Sequence, residues 1–139
     1  MPRLVQPPSL ASSRPLLLPC RGRYCESFDD GVYHCAGCLQ PLYDSSMKFK
    51  TGHGWPAFCD NLPDALTRHE SKRKVEIVCS GCDGHVGHVF HSKRYPKPHH
   101  ERHCVNSVSL TFVPRGAAPS PRQYIASAAI MIAASNAGR

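Results

Sequence analysis

Cysteines and histidines hold most of the chemical potential of this 139-residue chain, which has eight of the first and nine of the second. Four of the cysteines form two Cys-x-x-Cys pairs, Cys35 with Cys38 and Cys79 with Cys82, and each pair encloses a glycine. A glycine lets the backbone turn so that both sulfurs of a pair face one point. Four thiolates in two such turns suit the tetrahedral coordination of one structural zinc ion (Zn²⁺) per chain.

The spacing of the two cysteine pairs indicates what kind of metal site they would form. Because 40 residues separate the pairs, a bound zinc would join two distant hairpins; two disulfides or a coincidence of spacing are the alternatives. A four-sulfur site has no open coordination position, so it is expected to be structural rather than catalytic. A rival zinc-finger site would combine the second pair with His85 and His88. Only two residues separate Cys82 from His85, too few to wrap a helix back onto the metal.

Cys104 has no Cys-x-x-Cys partner and lies between Arg102 and Asn106, which makes it a candidate reactive thiol. On a strand, Arg102, Cys104 and Asn106 project to the same face. A thiol between a guanidinium and an amide is in an environment that favours the thiolate, the nucleophilic form of cysteine. A buried structural cysteine is the alternative, and the local sequence leaves both interpretations open.

Short strands and turns are predicted to position these residues. Runs of β-branched and aromatic residues lead into both cysteine pairs, at Val32–Cys35 and Val75–Cys79. One long strand is predicted from Arg102 to Val113, because Val108, Leu110 and Phe112 alternate there with Ser109 and Thr111. A short helix is predicted around Asn61–Arg68. Together these elements predict a small, mainly antiparallel β domain.

The net charge of +7 comes from 17 Lys and Arg against 10 Asp and Glu, and it lies outside the middle of the chain. Residues 1–25 carry four arginines and no acid, and residues 114–139 carry three arginines and no acid. The stretch between them is neutral, so we expect no nucleic-acid partner. No apolar run approaches the roughly 20 residues that span a bilayer, so no membrane span is expected. The longest apolar segment, Ile125–Ala134, predicts a small helix.

Four segments of the chain follow a known set of motifs in the same order. They are Gly31–Cys38, Lys48–Phe58, Gly84–Phe90 and Arg102–Leu110. Together they resemble the methionine-R-sulfoxide reductases, the MsrB family. The resemblance implies a zinc-bearing, barrel-like β fold and an oxidoreductase, a peptide-methionine (R)-S-oxide reductase. It further implies that the substrates are oxidised proteins, that thioredoxin or a similar thiol is the reductant, and that the chain is a monomer.

The resemblance also implies roles for the reactive residues. Cys104 would be the nucleophile that attacks the sulfoxide sulfur, releases methionine and becomes a sulfenic acid. The sulfoxide oxygen must be protonated to leave, and His85 and His88 suit that need because imidazole titrates near neutral pH. Arg102 would lower the pKa of the thiol.

Three further residues are expected at the substrate. Asn106 would orient the substrate or a bridging water, and Trp55 would offer an apolar wall for the methyl group of the sulfoxide. His103 is expected to bind substrate as well.

The chain departs from the family at one position that matters for turnover. Many relatives carry Ser-Gly-Cys-Gly-Trp-Pro, whose cysteine resolves the sulfenic acid, and here His53 takes its place. Cys25, Cys20 and Cys59 are the candidate replacements, and one of the first two is favoured because they precede the first cysteine pair in a segment that could reach the active site. Direct reduction of Cys104 by an external thiol is the alternative.

Three regions are predicted along the chain. Residues 1–21 form an irregular Pro- and Ser-rich extension that is either disordered or a targeting segment, and residues 22–113 form the catalytic domain that the resemblance implies. Residues 114–139 form a tail, partly helical or disordered. Leu16–Leu18 falls short of the roughly 7–15 apolar residues of a secretory signal, so we expect an intracellular protein, cytoplasmic or mitochondrial and not secreted. A catalytically impaired, zinc-ribbon-like binding module is the alternative to an enzyme.

Overall fold

The computed structural model describes the backbone of residues 23–52 and 54–137, and their side chains up to residue 130. Within these ranges the chain forms nine β-strands and one α-helix, with short 3-10 turns at Ser45–Met47 and Ser107–Ser109. The strands are β1 (Gly31–Cys35), β2 (Pro41–Asp44), β3 (Lys48–Phe49), β4 (Ala57–Phe58), β5 (Leu66–Glu70), β6 (Val75–Cys79), β7 (His85–His91), β8 (Glu101–Val105) and β9 (Leu110–Pro114). The helix, α1, spans Pro121–Ala137.

The nine strands form two antiparallel sheets. The smaller sheet has the order β2-β1-β9, and the larger has the order β3-β4-β8-β7-β6-β5. Every strand pair is antiparallel. The predicted fold class, a small and mainly antiparallel β domain, is therefore confirmed. The two runs predicted to lead into the cysteine pairs are β1 and β6.

The single strand predicted from Arg102 to Val113 is wrong, because the chain turns in its middle. β8 ends at Val105, and β9 belongs to the other sheet. The turn between them begins at Asn106, whose side-chain oxygen accepts a hydrogen bond from the amide of Val108 at 3.2 Å. The apolar alternation of Val108, Leu110 and Phe112 begins inside the turn and runs on into β9, so it does not reveal the break.

The helix predicted around Asn61–Arg68 is also wrong. Residues 61–65 form a loop in which Asp64 has a left-handed φ of 57°, and β5 follows. Pairing with β6 supplies the hydrogen bonds of β5, and such tertiary pairing overrides weak local preference. The helix expected at Ile125–Ala134 lies within α1. Among the described residues, no helix has the length and apolar character needed to cross a membrane.

Three buried aromatic rings join the two sheets. Tyr33 of β1, Tyr43 of β2 and Phe58 of β4 are fully buried. The ring of Phe58 stacks on Tyr43 with centroids 4.1 Å apart and meets Tyr33 edge-on at 5.2 Å. Aromatic pairs of this geometry stabilise a core beyond the apolar area that they bury.

The register of the larger sheet decides which side chains share a face. Cys104 of β8 pairs with His88 of β7, and His88 pairs with Glu76 of β6. Directly opposed residues of antiparallel strands point to the same side of the sheet. Cys104, His88 and Glu76 therefore form a row across the outer face, whereas His103, the neighbour of Cys104, points into the core.

Gly87 lets β7 and β8 approach each other beside this row. A Cβ atom at Gly87 would lie 1.9 Å from the carbonyl oxygen of Cys104. No side-chain carbon fits at that distance, and the atom it meets is backbone that cannot turn away. Any larger residue at this position must push the two central strands apart.

We expect Gly87→Ala to destabilise the fold by about 3 kcal/mol, the upper end of typical overpacking costs, because the obstacle is backbone. Urea unfolding followed by far-UV circular dichroism measures the change. Thr67→Ala, on the exposed side of β5, is the control and should change the free energy of unfolding by less than about 0.5 kcal/mol. Equal midpoints for the two variants would contradict the close approach.

Candidate active site and metal centre

The four cysteines of the two pairs converge on one point. Their sulfurs all lie within 4.8 Å of one another, with 3.6 Å between Cys35 and Cys82 and 3.5 Å between Cys38 and Cys79. Four sulfurs bound at ~2.3 Å to a tetrahedral zinc ion would be about 3.8 Å apart, so the cluster has the right size. Within residues 23–52 and 54–137, no other group of three or more Cys, His, Asp or Glu side chains could hold a metal ion.

The two cysteine turns share one backbone design. In the first, the amide of Leu39 donates to the carbonyl of Cys35 at 2.8 Å; in the second, the amide of Asp83 donates to the carbonyl of Cys79 at 2.8 Å. Leu39 and Asp83 both adopt a left-handed φ, 63° and 61°. This repeated geometry turns both sulfurs of each pair toward the common centre.

Cys104 lies half-buried on the outer face of β8, with His88 directly across on β7. Burial raises the pKa of the Cys104 thiol, while Arg102 lowers it through its charge and a side-chain hydrogen bond. The net pKa lies above the ordinary value of a cysteine. The expected influence of Arg102 is therefore present, but the expectation that the surroundings favour the thiolate is wrong, because desolvation is the larger effect.

The guanidinium of Arg102 is held between two aromatic rings. Its central carbon lies 4.8 Å from the ring centre of Phe90 and 5.1 Å from that of Tyr95. Such cation–π contacts fix the plane of an arginine that is largely removed from water. The Nε atom of Arg102 is buried and has no hydrogen-bond partner among the described residues. Neither ring was predicted as part of the site, since Tyr95 lies in the loop between β7 and β8 and no local pattern marks it.

His85 and His88 lie together on the same face as Cys104. Their ring centres are 5.3 Å apart, and Nδ1 of His85 is 2.6 Å from a carboxylate oxygen of Glu76. Burial, followed by the charge of His85, lowers the pKa of His88, so its imidazole is neutral near pH 7. Because both rings belong to this cluster and His85 bonds Glu76, the rival zinc-finger site is not formed.

Glu76 was not predicted as a site residue. The available signal was an acidic residue at the second position of an otherwise apolar strand, Val75–Cys79. Such a residue is expected on the face of the strand that points away from the core. Its meaning depends on the pairing of β6 with β7, which the sequence does not reveal.

Asn106 and Trp55 flank the reactive row. The side-chain oxygen of Asn106 accepts a hydrogen bond from the backbone amide of Val108. The backbone amide of Asn106 donates to the carbonyl of Val86 at 3.1 Å. Trp55 is 38% exposed and stands two residues before Ala57, the β4 partner of Cys104. Trp55 therefore presents apolar surface near the end of β4 where Cys104 is paired.

His103 does not lie where its predicted role requires. Its side chain is fully buried on the core side of β8, and its Nδ1 is 3.0 Å from the hydroxyl of Tyr43. Burial lowers its pKa to about 4, so the imidazole is neutral under ordinary conditions. The expectation that His103 binds substrate is wrong, because adjacent residues of a strand face opposite sides. Its place is in the core, near the buried carboxylate of Glu101, which pairs with the more exposed Arg68.

The candidate resolving cysteines differ in their burial and in whether the thiol is free. Cys59 follows β4 as a half-buried free thiol whose pKa is raised by burial. Cys25 is disulfide-bonded and follows Tyr24, whose amide is 3.4 Å from the hydroxyl of Ser107. Cys20 and His53 lie outside the described residues.

Comparison with known proteins bears on this arrangement. Residues 14–114 match the family model of the SelR domain. The chain is 55% identical over 98 residues to "Peptide methionine sulfoxide reductase B2, chloroplastic" of Arabidopsis thaliana, covering 69% of this chain and 48% of that protein. It is 52% identical over 99 residues to "Peptide methionine sulfoxide reductase B5" of Oryza sativa subsp. japonica, covering 70% of this chain and 73% of that protein.

The extent of these matches varies among the relatives. The chain spans about half the length of the chloroplastic Arabidopsis relative. A third relative, "Peptide methionine sulfoxide reductase B5" of Arabidopsis thaliana, is 50% identical over 98 residues, which cover 69% of this chain and 70% of that protein. The family match covers every residue of the candidate site from Cys35 to Asn106. The chain therefore belongs to the SelR domain family.

Proposed function

We propose that this chain reduces the R epimer of methionine sulfoxide in oxidised proteins. The observation that carries the proposal is the row on the outer face of the larger sheet, where the half-buried thiol of Cys104 stands opposite His88 and beside Arg102. Membership of the SelR domain family supports it, since relatives that share half of the matched residues are named for this activity. A lone reactive thiol in such a row has no use in a zinc-ribbon-like binding module.

The proposed first step is attack of the Cys104 sulfur on the sulfoxide sulfur. An S–S bond forms and the sulfoxide oxygen takes up the proton of the thiol. The sulfoxide S–O bond and the new S–S bond then break as the hydroxyl group is transferred to the Cys104 sulfur, which gives a sulfenic acid and free methionine. Methionine sulfoxide gains two electrons and Cys104 loses two. A thiol then condenses with the sulfenic acid and releases water, and a second thiol reduces the resulting disulfide.

The raised pKa of Cys104 and the lowered pKa of His88 determine which of the two groups carries the proton that the reaction uses. Before substrate binds, the thiol is protonated and the imidazole is neutral. His88 can accept the proton of Cys104 as the sulfur attacks and deliver it to the departing oxygen, with His85 beside it. The proton that the leaving oxygen needs is thus already held by the nucleophile.

The substrate is proposed to lie between Trp55 and the loop that begins at Asn106. The exposed ring of Trp55 suits the methyl group of the sulfoxide. The oxygen of Asn106 already accepts the amide of Val108, which leaves its side-chain NH₂ group to orient the sulfoxide or a water.

We infer that an external thiol, thioredoxin or a similar reductant, acts directly on oxidised Cys104. Cys59 is half-buried with a raised pKa, which leaves little of the thiolate that disulfide formation needs. Cys25 is already disulfide-bonded. The six other cysteines of the described residues are free thiols, as is usual in a reducing, intracellular compartment, and the disulfide at Cys25 is the exception.

The metal bound by the four cysteines is proposed to be one structural zinc ion. The closed set of four sulfurs, Cys35, Cys38, Cys79 and Cys82, fits zinc and leaves no position for substrate. When bound, zinc supplies folding free energy rather than chemistry at Cys104. The sulfurs come from the turns that follow β1 and β6, so the ion would fix one sheet relative to the other.

Replacing the nucleophile tests the proposed reaction. Cys104→Ser should abolish turnover of dabsylated methionine-R-sulfoxide with dithiothreitol, because serine cannot take up the sulfoxide oxygen. The matched control, Cys59→Ser, should keep most of the activity since an external thiol completes the cycle. Turnover by Cys104→Ser would overturn the mechanism. Loss of activity in a folded Cys59→Ser variant would assign the resolving role to Cys59.

The influence of Arg102 on Cys104 can be measured without turnover. Arg102→Met should raise the pKa of Cys104 by about one unit or more, because a nearby cation no longer favours the thiolate. The pH dependence of iodoacetamide alkylation, followed for the Cys104 peptide by mass spectrometry, reports that pKa. Arg102→Lys should recover part of the shift. An alkylation profile that stays in place or moves to lower pH contradicts the role of Arg102.

Metal analysis tests the proposed zinc site. The purified protein should contain one zinc ion per chain, and Cys79→Ser should lose it together with a cooperative thermal transition. Zinc contributes roughly 10–16 kcal/mol of apparent folding free energy in small zinc domains, so the loss should be large. Cys59→Ser, outside the cluster, should retain both the zinc and the transition. A metal-free protein with an unchanged melting temperature would contradict the proposal.

A further inference from the structure

A cavity separates helix α1 from the metal centre and the end of β7 that carries His85. Its volume is about 200 Å³, and Ala36, Gly37, Val108 and Ile130 are among the residues that line it. None of the described lining residues is Lys, Arg, Asp or Glu. A cavity of about 150 Å³ with apolar walls is enough to hold benzene, so this one has room for a large apolar side chain.

Helix α1 is a fixed wall of the cavity rather than a loosely attached tail. The side-chain amide of Gln123 donates to the hydroxyl of Thr111 at 2.7 Å and to the carbonyl of Phe112 at 2.8 Å. One turn later, the hydroxyl of Ser127 donates to the carbonyl of Gly37 at 2.6 Å. These bonds tie the helix to β9 and to the first cysteine turn, and they hold Ile130 against Gly37.

The cavity adjoins the candidate active site at His85, which belongs to both. His85 lines the cavity, its ring centre is 5.3 Å from that of His88, and His88 stands directly across from Cys104. An extended polypeptide advances about 3.3–3.6 Å per residue. A substrate chain whose methionine sulfoxide reaches Cys104 therefore brings a residue two or three positions away to the cavity.

Two apolar side chains at the mouth of the cavity are exposed. Val108, at the turn after β8, is 76% exposed, and Ile130 of α1 is 43% exposed. They come from segments 22 residues apart in the chain, yet they line the same cavity. Exposed apolar groups that converge beside a reactive site are typical of a surface that a ligand covers.

We propose that α1 and Val108 form a subsite for an apolar side chain of the protein substrate, two or three residues from the methionine sulfoxide. The inference rests on the proposed function and deepens it, because it assigns a sequence preference to the substrate. The cavity takes the apolar side chain while the sulfoxide lies at Cys104. Residues 121–130 lie beyond the segment that matches the SelR domain, so the preference belongs to this chain's own C-terminal part.

The test compares a substrate that reaches the cavity with one that does not. Peptides carry one methionine-R-sulfoxide, with Phe or Asp at both the second and the third residue before it in one pair and after it in another. Dabsylated methionine-R-sulfoxide lacks any flanking residue. The wild-type protein should prefer Phe over Asp by about tenfold in kcat/KM for one pair, the scale at which an apolar pocket discriminates.

Ile130→Asp should remove that preference by raising KM for the Phe peptide, with little change in turnover of the dabsylated substrate. Ile125→Asp is the matched control, since Ile125 lies on the same helix, is 72% exposed and does not line the cavity. Ile125→Asp should behave as the wild type does.

Each other outcome has a distinct meaning. A wild-type protein that treats Phe and Asp peptides alike overturns the subsite, whereas no turnover of the dabsylated substrate overturns the proposed function itself. An equal loss of peptide activity in Ile125→Asp and Ile130→Asp would mean that helix stability, and not the cavity, is measured. Light scattering that finds a dimer in the wild type and a monomer in Ile130→Asp would assign the cavity to a second copy of the chain and overturn the proposal.

Discussion

The pairing of β7 with β8 is the constraint on which the site depends. Gly87 permits a backbone approach that no side chain would allow, and the register beside it sets His88 opposite Cys104. Because side chains alternate along a strand, a slip of one residue would turn Cys104 into the core and expose His103. The buried bond between His103 and Tyr43 opposes that slip, since it would be lost on exchange. Core packing on one face thus fixes the chemistry on the other.

The metal centre extends this control to the rest of the fold. Cys35 ends β1 of the smaller sheet, and Cys79 ends β6 of the larger sheet, so four convergent sulfurs join the sheets at one place. The stacked rings of Tyr43 and Phe58 join them at another. β7, which carries both histidines, begins three residues after Cys82. The start of the reactive strand is therefore anchored by the same turn that completes the sulfur cluster.

Local pattern was enough to predict the cluster of four cysteines, the antiparallel class and the common face of Arg102 and Cys104. Cys-x-x-Cys spacing and strand alternation are properties of a few consecutive residues. The break at Asn106 was missed because the apolar alternation continues through the turn. Glu76, Phe90 and Tyr95 were missed because their roles arise only when β6, β7 and the following loop come together. Strand order is non-local, so no short window of sequence contains it.

The partly buried position of Cys104 has a consequence for how its sulfur reacts with oxidants. Peroxides react with thiolates and hardly at all with thiols. Since desolvation raises the pKa of Cys104, the resting protein holds this sulfur in its protonated and poorly reactive form. A sulfoxide bound beside His88 supplies an oxygen atom that accepts the proton of the thiol. A peroxide molecule has no fixed binding position beside Cys104. The same burial that disfavours ionisation of Cys104 thus protects the proposed nucleophile from oxidation by peroxides.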